Sequence, residues 1–142
     1  TNESLADQFS SLTNFLSYFG FFSGLIALIA AGVGITNIML ITVKERTREI
    51  GIRKAVGAKK RWILTHFISE TIVLTMIGGL IGVLLGIVAG GLLGLVAGTS
   101  FSLSTKWIII SLSISLVLGL ISGVMPAYRA ASLDPVEALR YE

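Results

Sequence analysis

The sequence NIMLITVKERTREIGIRKAVGAKKRWILTHFISET, residues 37–71, places a strongly charged segment between two apolar ones. Residues 44–61 contain eight basic side chains and only two acidic ones, Glu45 and Glu49. Outward from this segment, three runs of the 142-residue chain carry no charged side chain: 13–43, 71–105 and 107–128. Each run exceeds the about 20 apolar residues with which a helix crosses a bilayer core. The chain is 54% hydrophobic and 13% charged, and it has no amphipathic shell that could cover three such helices in water. It is therefore predicted to be an all-α integral membrane protein with three transmembrane helices.

The positions of the charges predict the orientation of these helices. Short cytoplasmic loops collect Lys and Arg, so residues 44–61 are expected on the cytoplasmic side. The segment before the first apolar run has acidic side chains and no basic one, and residues 98–106 have only Lys106. The N-terminus is then outside and the C-terminus, with Arg129, is cytoplasmic. Aromatic side chains typical of membrane interfaces agree with this layout: Phe15, Tyr18, Phe19, Phe21, Phe22 and Trp107 at outer ends, Trp62 and Tyr128 at inner ends.

These patterns divide the chain into helices and connections. Residues 1–14 are expected to continue the first helix outward, because Leu5, Phe9 and Leu12 recur at helical spacing; the alternative is a frayed terminus. Transmembrane helices are predicted at 15–43, 62–97 and 107–126, a cytoplasmic loop at 44–61, a short extracytoplasmic loop at 98–106 and a cytoplasmic tail helix at 127–142. Since Thr1 is not an initiator residue, we expect a processed product or part of a longer polypeptide.

The charged segment is predicted to contain a short amphipathic helix. Glu49 and Arg53 are four residues apart, a spacing that supports a helix, as does the three-residue spacing of Glu45 and Arg48. Ile52 and Val56 fall on one face, with Ala55 beside them, and Gly57 is suited to the position after the last helical residue. The pattern favours a helix that docks onto another protein. The alternative is a solvated basic loop held to anionic lipid.

The tail sequence predicts a second short helix on the same side of the membrane. The third span is expected to end near Pro126. Asp134 is then suited to cap a new helix, with Pro135 in its first position and Glu137 in its third. Such a helix either packs on another part of the molecule or lies on the inner membrane surface.

Small residues recur at every fourth position in the second and third apolar runs. Small side chains let membrane helices approach closely, so we expect a tight bundle, within the chain or between protomers. The glycines assigned to helix packing are Gly78, Gly82, Gly86, Gly90, Gly119 and Gly123.

The composition excludes several kinds of chemistry, and no catalytic or metal-binding residue is assigned. The chain has no cysteine, so it has neither a thiolate metal site nor a cysteine nucleophile, and it has no Walker A sequence. The single histidine, His66, has no second ligand at metal spacing. Glu70 lies near the start of a predicted transmembrane helix; it is either a functional carboxylate or a group that pairs with Arg61 or His66 or reaches the headgroups. The basic cluster is held at a membrane and lacks interleaved aromatic residues, so no nucleic acid is expected as a partner.

Residues 37–71 closely resemble the second membrane span, cytoplasmic loop and third span of MacB/FtsX-type ABC transporter permeases. PAYRAASLDPVEALRYE, residues 126–142, resembles the C-terminal signature of the same family. The loop is more similar to the MacB branch than to the cell-division FtsX branch. The resemblance implies four transmembrane helices per permease, an extracytoplasmic domain between the first and second, and a dimer of permeases. The chain then corresponds to the C-terminal membrane portion, beginning at the outer part of the second helix.

The resemblance further implies a function without enzymatic activity in the chain itself. No cofactor is expected on the chain, and ATP and Mg²⁺ would bind a partner ATPase whose closure moves the second helix and the extracytoplasmic domain. The implied role is the permease part of a MacB-type transporter in the bacterial cytoplasmic membrane, which exports drugs, peptides or lipoproteins. Alternatives are an FtsX-like transmembrane regulator of an extracytoplasmic enzyme and a membrane scaffold with a basic lipid anchor.

The expected partners are an ABC ATPase subunit or domain, a second permease protomer, membrane lipids and an extracytoplasmic accessory protein. The family's ATPase-docking segment, the coupling helix, matches residues within 45–60. By this match, the docking residues are Glu45, Arg48, Glu49, Ile50, Ile52, Arg53 and Val56.

Overall fold

The computed structural model describes residues 2–98 and 104–140, and these residues form five α-helices without a strand. The helices are α1 (Asn2–Glu45), α2 (Thr47–Ala55), α3 (Lys60–Ala97), α4 (Thr105–Ser132) and α5 (Pro135–Arg140). The helices α1, α3 and α4 are long and apolar enough to cross a membrane. At 1.5 Å per residue their 44, 38 and 28 residues extend about 66, 57 and 42 Å. The predicted all-α fold with three membrane-spanning helices is confirmed. Thr1, residues 99–103 of the predicted extracytoplasmic loop and residues 141–142 of the C-terminal signature lie outside the described residues.

The first helix is unbroken from Asn2 to Glu45, through the residues 5–14 whose apolar spacing predicts a helix. Its apolar side chains are largely exposed along most of its length; Phe9, for example, is 69% exposed. In a membrane protein such surfaces face lipid or other helices. The low burial of α1 is therefore consistent with a helix that the rest of this chain covers only at one end.

The helices α3 and α4 pack through an antiparallel seam of small side chains. A Cβ atom added to Gly119 would lie 2.3 Å from Thr75 Oγ1, and one added to Gly123 would lie 2.9 Å from Thr71 Oγ1. One turn farther along, a Cβ atom on Gly79 would lie 2.3 Å from Ser115 Oγ. The contacts repeat every four residues on both helices, which is the spacing of adjacent turns on one helix face. Glycine at these positions therefore permits the close approach of the two helices.

The fourth helix continues through Pro126 to Ser132, six residues beyond the predicted end of the third span. Residues 127–132 therefore belong to α4 and not to the tail helix predicted at 127–142, which begins at Pro135. Proline lacks the N–H group that would donate to the carbonyl four residues earlier, here that of Ser122. The Thr36 hydroxyl on α1 shares its hydrogen between the Gly32 carbonyl oxygen of its own helix at 2.9 Å and the Ser122 carbonyl oxygen at 3.2 Å. Pro126 itself is fully buried. A side chain from a neighbouring helix thus satisfies the freed carbonyl, as is common for proline in membrane helices.

The buried core of the chain lies at the end of the bundle that carries α2, which we call the α2 end. Here α1, α2, α3 and α4 converge, and α4 packs against both α1 and α3. The core consists of Met39, Val43, Ile50, Ile63, Phe67, Ala127, Ala130 and Ala131. Because the four helices share this core, the short helix α2 is anchored to the membrane-spanning bundle.

Candidate docking surface at the α2 end

The helix α2 ends where the sequence predicts. Gly57 has a φ of 103°, a left-handed conformation that glycine adopts without strain. The Gly57 N–H donates to the Lys54 carbonyl and the Ala58 N–H to the Arg53 carbonyl, at 3.0 and 2.9 Å. These two bonds form the Schellman motif that closes a helix C-terminus. The predicted stop at Gly57 is confirmed, and within α2 the Glu49 carboxylate accepts a hydrogen bond from the Arg53 guanidinium.

One face of α2 is buried against other parts of the chain. Ile50 is 4% exposed and belongs to the core at the α2 end. Gly51 lies so close to α5 that an added Cβ atom would be 2.6 Å from the Ala138 Cβ atom. Ile50 therefore shapes this region from within and is not on the surface that a partner could reach.

The Lys54 side chain connects α2 to the end of α4. Its ammonium donates to the Ala131 carbonyl oxygen at 2.9 Å and also to the Leu133 carbonyl oxygen. The last carbonyl groups of a helix have no partner within it and carry partial negative charge. Lys54 thus donates hydrogen bonds to carbonyl groups at the C-terminal end of α4 and holds α2 to that end.

The tail helix α5 packs on α2. Asp134 Oδ1 accepts a hydrogen bond from the Val136 N–H at 2.8 Å, which confirms the predicted cap at Asp134. Ala138 is 2% exposed, because it faces Gly51. Of the two alternatives for the tail, the structure shows the one in which the helix packs on another part of the molecule.

The opposite face of α2 is open and both apolar and basic. Val56 is 85% exposed and Ile52 is 44% exposed. Together with Arg53, Ala58, Lys59 and Trp62 they line a shallow groove between α2 and the start of α3. The Arg53 guanidinium lies 5.4 Å from the centre of the Trp62 ring, within the range of a cation–π contact. We call this set of six residues the α2 groove.

The seven predicted docking residues divide into three groups in the structure. Ile52, Arg53 and Val56 line the α2 groove. Glu45, Arg48 and Glu49 are exposed but do not line it, and Glu49 pairs with Arg53. Ile50 is buried. Sequence reasoning placed Trp62 in an aromatic belt at the lipid interface and so missed its place in the groove. Its position nine residues after Arg53 gives no periodic signal, since a turn separates the two helices.

Sequence reasoning also missed the partner of Glu70. The Arg46 guanidinium, at the junction of α1 and α2, lies 3.5 Å from Glu70 Oε1. The candidates considered from sequence, Arg61 and His66, make no such contact with Glu70 among the described ion pairs. His66 instead stacks on Trp62, with ring centres 5.5 Å apart. Among the described residues, no three His, Asp or Glu side chains lie close enough together to hold a metal ion.

The glycines assigned to packing behave differently on the two helices. Gly119 and Gly123 form the α3–α4 seam. A Cβ atom on Gly78, Gly82 or Gly86, in contrast, would meet no atom of the described residues within 4 Å beyond the adjoining backbone of its own helix. Gly90 is half-buried. The residue of α3 that packs in the seam is Gly79, which continues the four-residue spacing of Thr71 and Thr75 and could have been found from that pattern.

Comparisons with known proteins agree with this architecture. A family profile described as "FtsX-like permease C-terminal" matches residues 21–135. The chain is 48% identical, over 82% of its length, to an uncharacterized ABC transporter permease, YknZ, of Bacillus subtilis. It is 47% identical, over the same share, to the macrolide export ATP-binding/permease protein MacB of Bdellovibrio bacteriovorus. It is 46% identical, again over 82%, to the pyoverdine export ATP-binding/permease protein PvdT of Pseudomonas syringae. The matched region covers 30% of YknZ and 18% of each of the other two, so the chain spans less than a third of these relatives. With a matching profile over most of its length and three helices of membrane-spanning length, the chain belongs to the FtsX-like permease family.

Proposed function

We propose that the chain is the membrane part of a permease in an ATP-driven, MacB-type ABC transporter, and that the α2 groove docks onto the ATPase. The observation that carries this proposal is the asymmetry of α2. One face packs on the core through Ile50, on the end of α4 through Lys54 and on α5 through Gly51. The opposite face leaves Ile52 and the neighbouring Val56 exposed. A helix that only bound lipid headgroups would not need an immobilised back face. An exposed Val and Ile beside basic groups instead suit an apolar pocket with an acidic rim on a protein partner.

The same arrangement explains how motion at α2 would reach the far side of the membrane. Thr47 Oγ1 donates to the Val43 carbonyl, and the Ile50 N–H donates to the Arg46 carbonyl, each at 3.0 Å. The first bond crosses Arg46, the single residue that separates α1 from α2, and the second joins Arg46 to α2. A force on α2 is therefore applied to α1, a helix of about 66 Å. The described spans carry no chain of charged groups for a polar substrate, which favours transmission of motion over passage of substrate through these helices.

In this proposal the α2 end is cytoplasmic, the N-terminus of α1 is outside, and the membrane is the bacterial cytoplasmic membrane. The exposed basic side chains at the α2 end support this orientation: Lys44, Arg48, Lys59, Lys60 and Arg61. ATP and Mg²⁺ bind to the ATPase and not to this chain, and the names of the relatives suggest an exported molecule of the macrolide or pyoverdine kind. A second permease protomer would cover apolar surface that this chain leaves open, including Gly78, Gly82 and Gly86.

The experiment is co-purification of the full-length permease with its ATPase in mild detergent, followed by an ATP hydrolysis assay of the eluate. Val56→Asp places a charge at the most exposed apolar position of the groove. Burial of a valine side chain contributes about 1.5–3 kcal/mol, so we expect ATPase binding to weaken at least about tenfold. Val136→Asp is the matched control, because Val136 is 73% exposed on α5, outside the groove. Equal binding of both variants, or equal loss in both, would contradict docking through the α2 groove.

A further inference from the structure

The junction between α1 and α2 is a single residue, Arg46. Its backbone lies at φ −94° and ψ 11°, outside regular helix geometry, and it separates Glu45 from Thr47. Any change in the angle between α1 and α2 is therefore concentrated at Arg46. The Arg46 side chain, however, reaches a third helix, since its guanidinium contacts Glu70 on α3.

The other residue of the ion pair, Glu70, lies close to the uncharged part of α3. Glu70 lies ten residues after Lys60, so it is about 15 Å along α3 from its start, and the rest of α3 beyond it carries no charged side chain. A carboxylate so near the apolar part of a spanning helix is costly unless it is paired. Arg46 is its partner among the described ion pairs, and the two side chains are 46% and 38% exposed.

The pairing is incomplete. Arg46 Nη1 lies 3.5 Å from Glu70 Oε1, while Glu70 Oε2 is buried and has no hydrogen-bond partner among the described residues. An arginine guanidinium has donors in a fork that can bind both oxygens of a carboxylate. A rotation at the junction that let this fork bind both oxygens would satisfy Oε2. The unsatisfied oxygen thus favours a second arrangement, in which the contact is bidentate and α2 points in a different direction.

We propose that Arg46 and Glu70 are a positioning pair that sets the direction of α2 relative to α3, with a single 3.5 Å ion-pair contact in this structure and a two-point contact after rotation at the junction. The consequence for transport rests on the proposed function, because it assumes that an ATPase moves α2. The geometry of the pair does not depend on that assumption. Lys54 and Gly51 hold α2 to α4 and α5. Beside the apolar core that Ile50 shares with α3, Arg46–Glu70 is the ion pair that links the junction of α1 and α2 to α3.

The first measurement is the distance between spin labels on α2 and α3 in the full-length permease, reconstituted without ATPase. The chain has no cysteine of its own, and Ala55 and Thr65 are exposed positions at which cysteine can be introduced. We expect Glu70→Gln to broaden the distance distribution and to move about fivefold more of the population out of the parental peak, equivalent to about 1 kcal/mol. The exchange of both charges, Arg46→Glu with Glu70→Arg, should restore the parental distribution.

Lys44→Gln is the matched control, since it removes a positive charge from an exposed residue two positions before Arg46. Its distribution should equal that of the parent. A parental distribution in Glu70→Gln, or the same broadening in Lys44→Gln, would overturn the proposal. Failure of the exchanged pair to restore the parental peak would also overturn it, because a positioning pair depends on opposite charges across the junction.

The second measurement repeats the distance determination in the complex with the ATPase, before and after addition of ATP and vanadate. The parent should show a shift of the peak, and Glu70→Gln should lose most of it while ATPase co-purification is retained. A full parental shift in Glu70→Gln would show that the pair does not position α2 during the cycle. If no ATPase binds the parent, the proposed function fails, whereas the measurement on the permease alone still decides the role of the pair.

Discussion

Gly51 is the position at which a single methyl group should separate the tail helix from α2. A Cβ atom on Gly51 would lie 2.6 Å from the Ala138 Cβ atom and 3.5 Å from the Ala138 carbonyl carbon. Carbon atoms in contact prefer about 3.5–4.0 Å, so α5 must move by about 1 Å to accept Gly51→Ala. The obstacle is a Cβ atom next to backbone, which cannot rotate away.

Two effects of Gly51→Ala oppose each other. Alanine is favoured over glycine inside a helix by up to about 1 kcal/mol, which stabilises α2 itself. Insertion of a methyl group into a closely packed contact costs about 1–3 kcal/mol. The cost of the overlap is the larger of these two free energies. We therefore expect the docking of α5 on α2 to be destabilised by about 1 kcal/mol, which makes opening of α5 about fivefold more frequent.

Hydrogen–deuterium exchange of the full-length permease measures this opening directly, because amides of a locally opened helix exchange faster. Exchange of residues 133–140 should accelerate about fivefold in Gly51→Ala. The double variant Gly51→Ala with Ala138→Gly removes the overlapping methyl group and should return exchange towards the parental rate. Gly34→Ala is the control, since a Cβ atom on Gly34 in α1 meets nothing within 4 Å. Unchanged exchange of α5 in Gly51→Ala, or equal acceleration in Gly34→Ala, would refute the reasoning.

Three further predictions concern single contacts. Lys54→Met keeps most of the apolar side chain but removes the hydrogen bonds to the carbonyl groups of Ala131 and Leu133. Hydrogen bonds to charged groups contribute about 1.5–3 kcal/mol, so exchange of residues 131–134 should accelerate, whereas Lys54→Arg should retain most protection. Gly119→Ala should lower the free energy of unfolding in detergent by about 1–3 kcal/mol, because the new methyl group would overlap Thr75. Gly82→Ala is the control: a methyl group there meets no described neighbour within 4 Å, so this variant should be neutral or stabilising in the monomeric permease. Equal thermal denaturation midpoints for the two variants would contradict the seam. Asp134→Ala should weaken α5 by about 1 kcal/mol through loss of its cap, and Asp134→Asn should retain it, as judged by exchange of residues 136–138.

Parts of the candidate site could be predicted because they depend on residues close together in the sequence. The stop at Gly57 depends on one glycine and the two hydrogen bonds next to it, and the cap at Asp134 on a side chain two residues from its donor. The Glu49–Arg53 pair spans one helical turn. For these features, helix geometry alone brings the interacting groups together.

The rest of the site depends on contacts between residues far apart in the chain. Lys54 and the carbonyl of Leu133 are separated by 79 residues, and Thr36 and the carbonyl of Ser122 by 86. Pro126 was expected to end a helix because local chemistry disfavours proline within one. α4 nevertheless continues to Ser132, and the Thr36 hydroxyl of α1 shares its hydrogen with the carbonyl that Pro126 leaves free. The same holds for Glu70, whose nearest basic neighbours in sequence are not its partner.

The sequence by itself determined that the chain has three apolar helices and a basic connection between the first and second, because hydropathy and charge act through each segment's own contact with lipid or water. It also favoured a short helix within residues 44–61 that stops at Gly57. Only the tertiary structure decided which face of α2 is buried, since that depends on where α4 and α5 come to lie. The tertiary structure likewise selected Gly79 over Gly78 for the seam and paired Arg46 with Glu70. Periodicity identifies residues that share a helix face, but the register between two helices is set by how their side chains fit together.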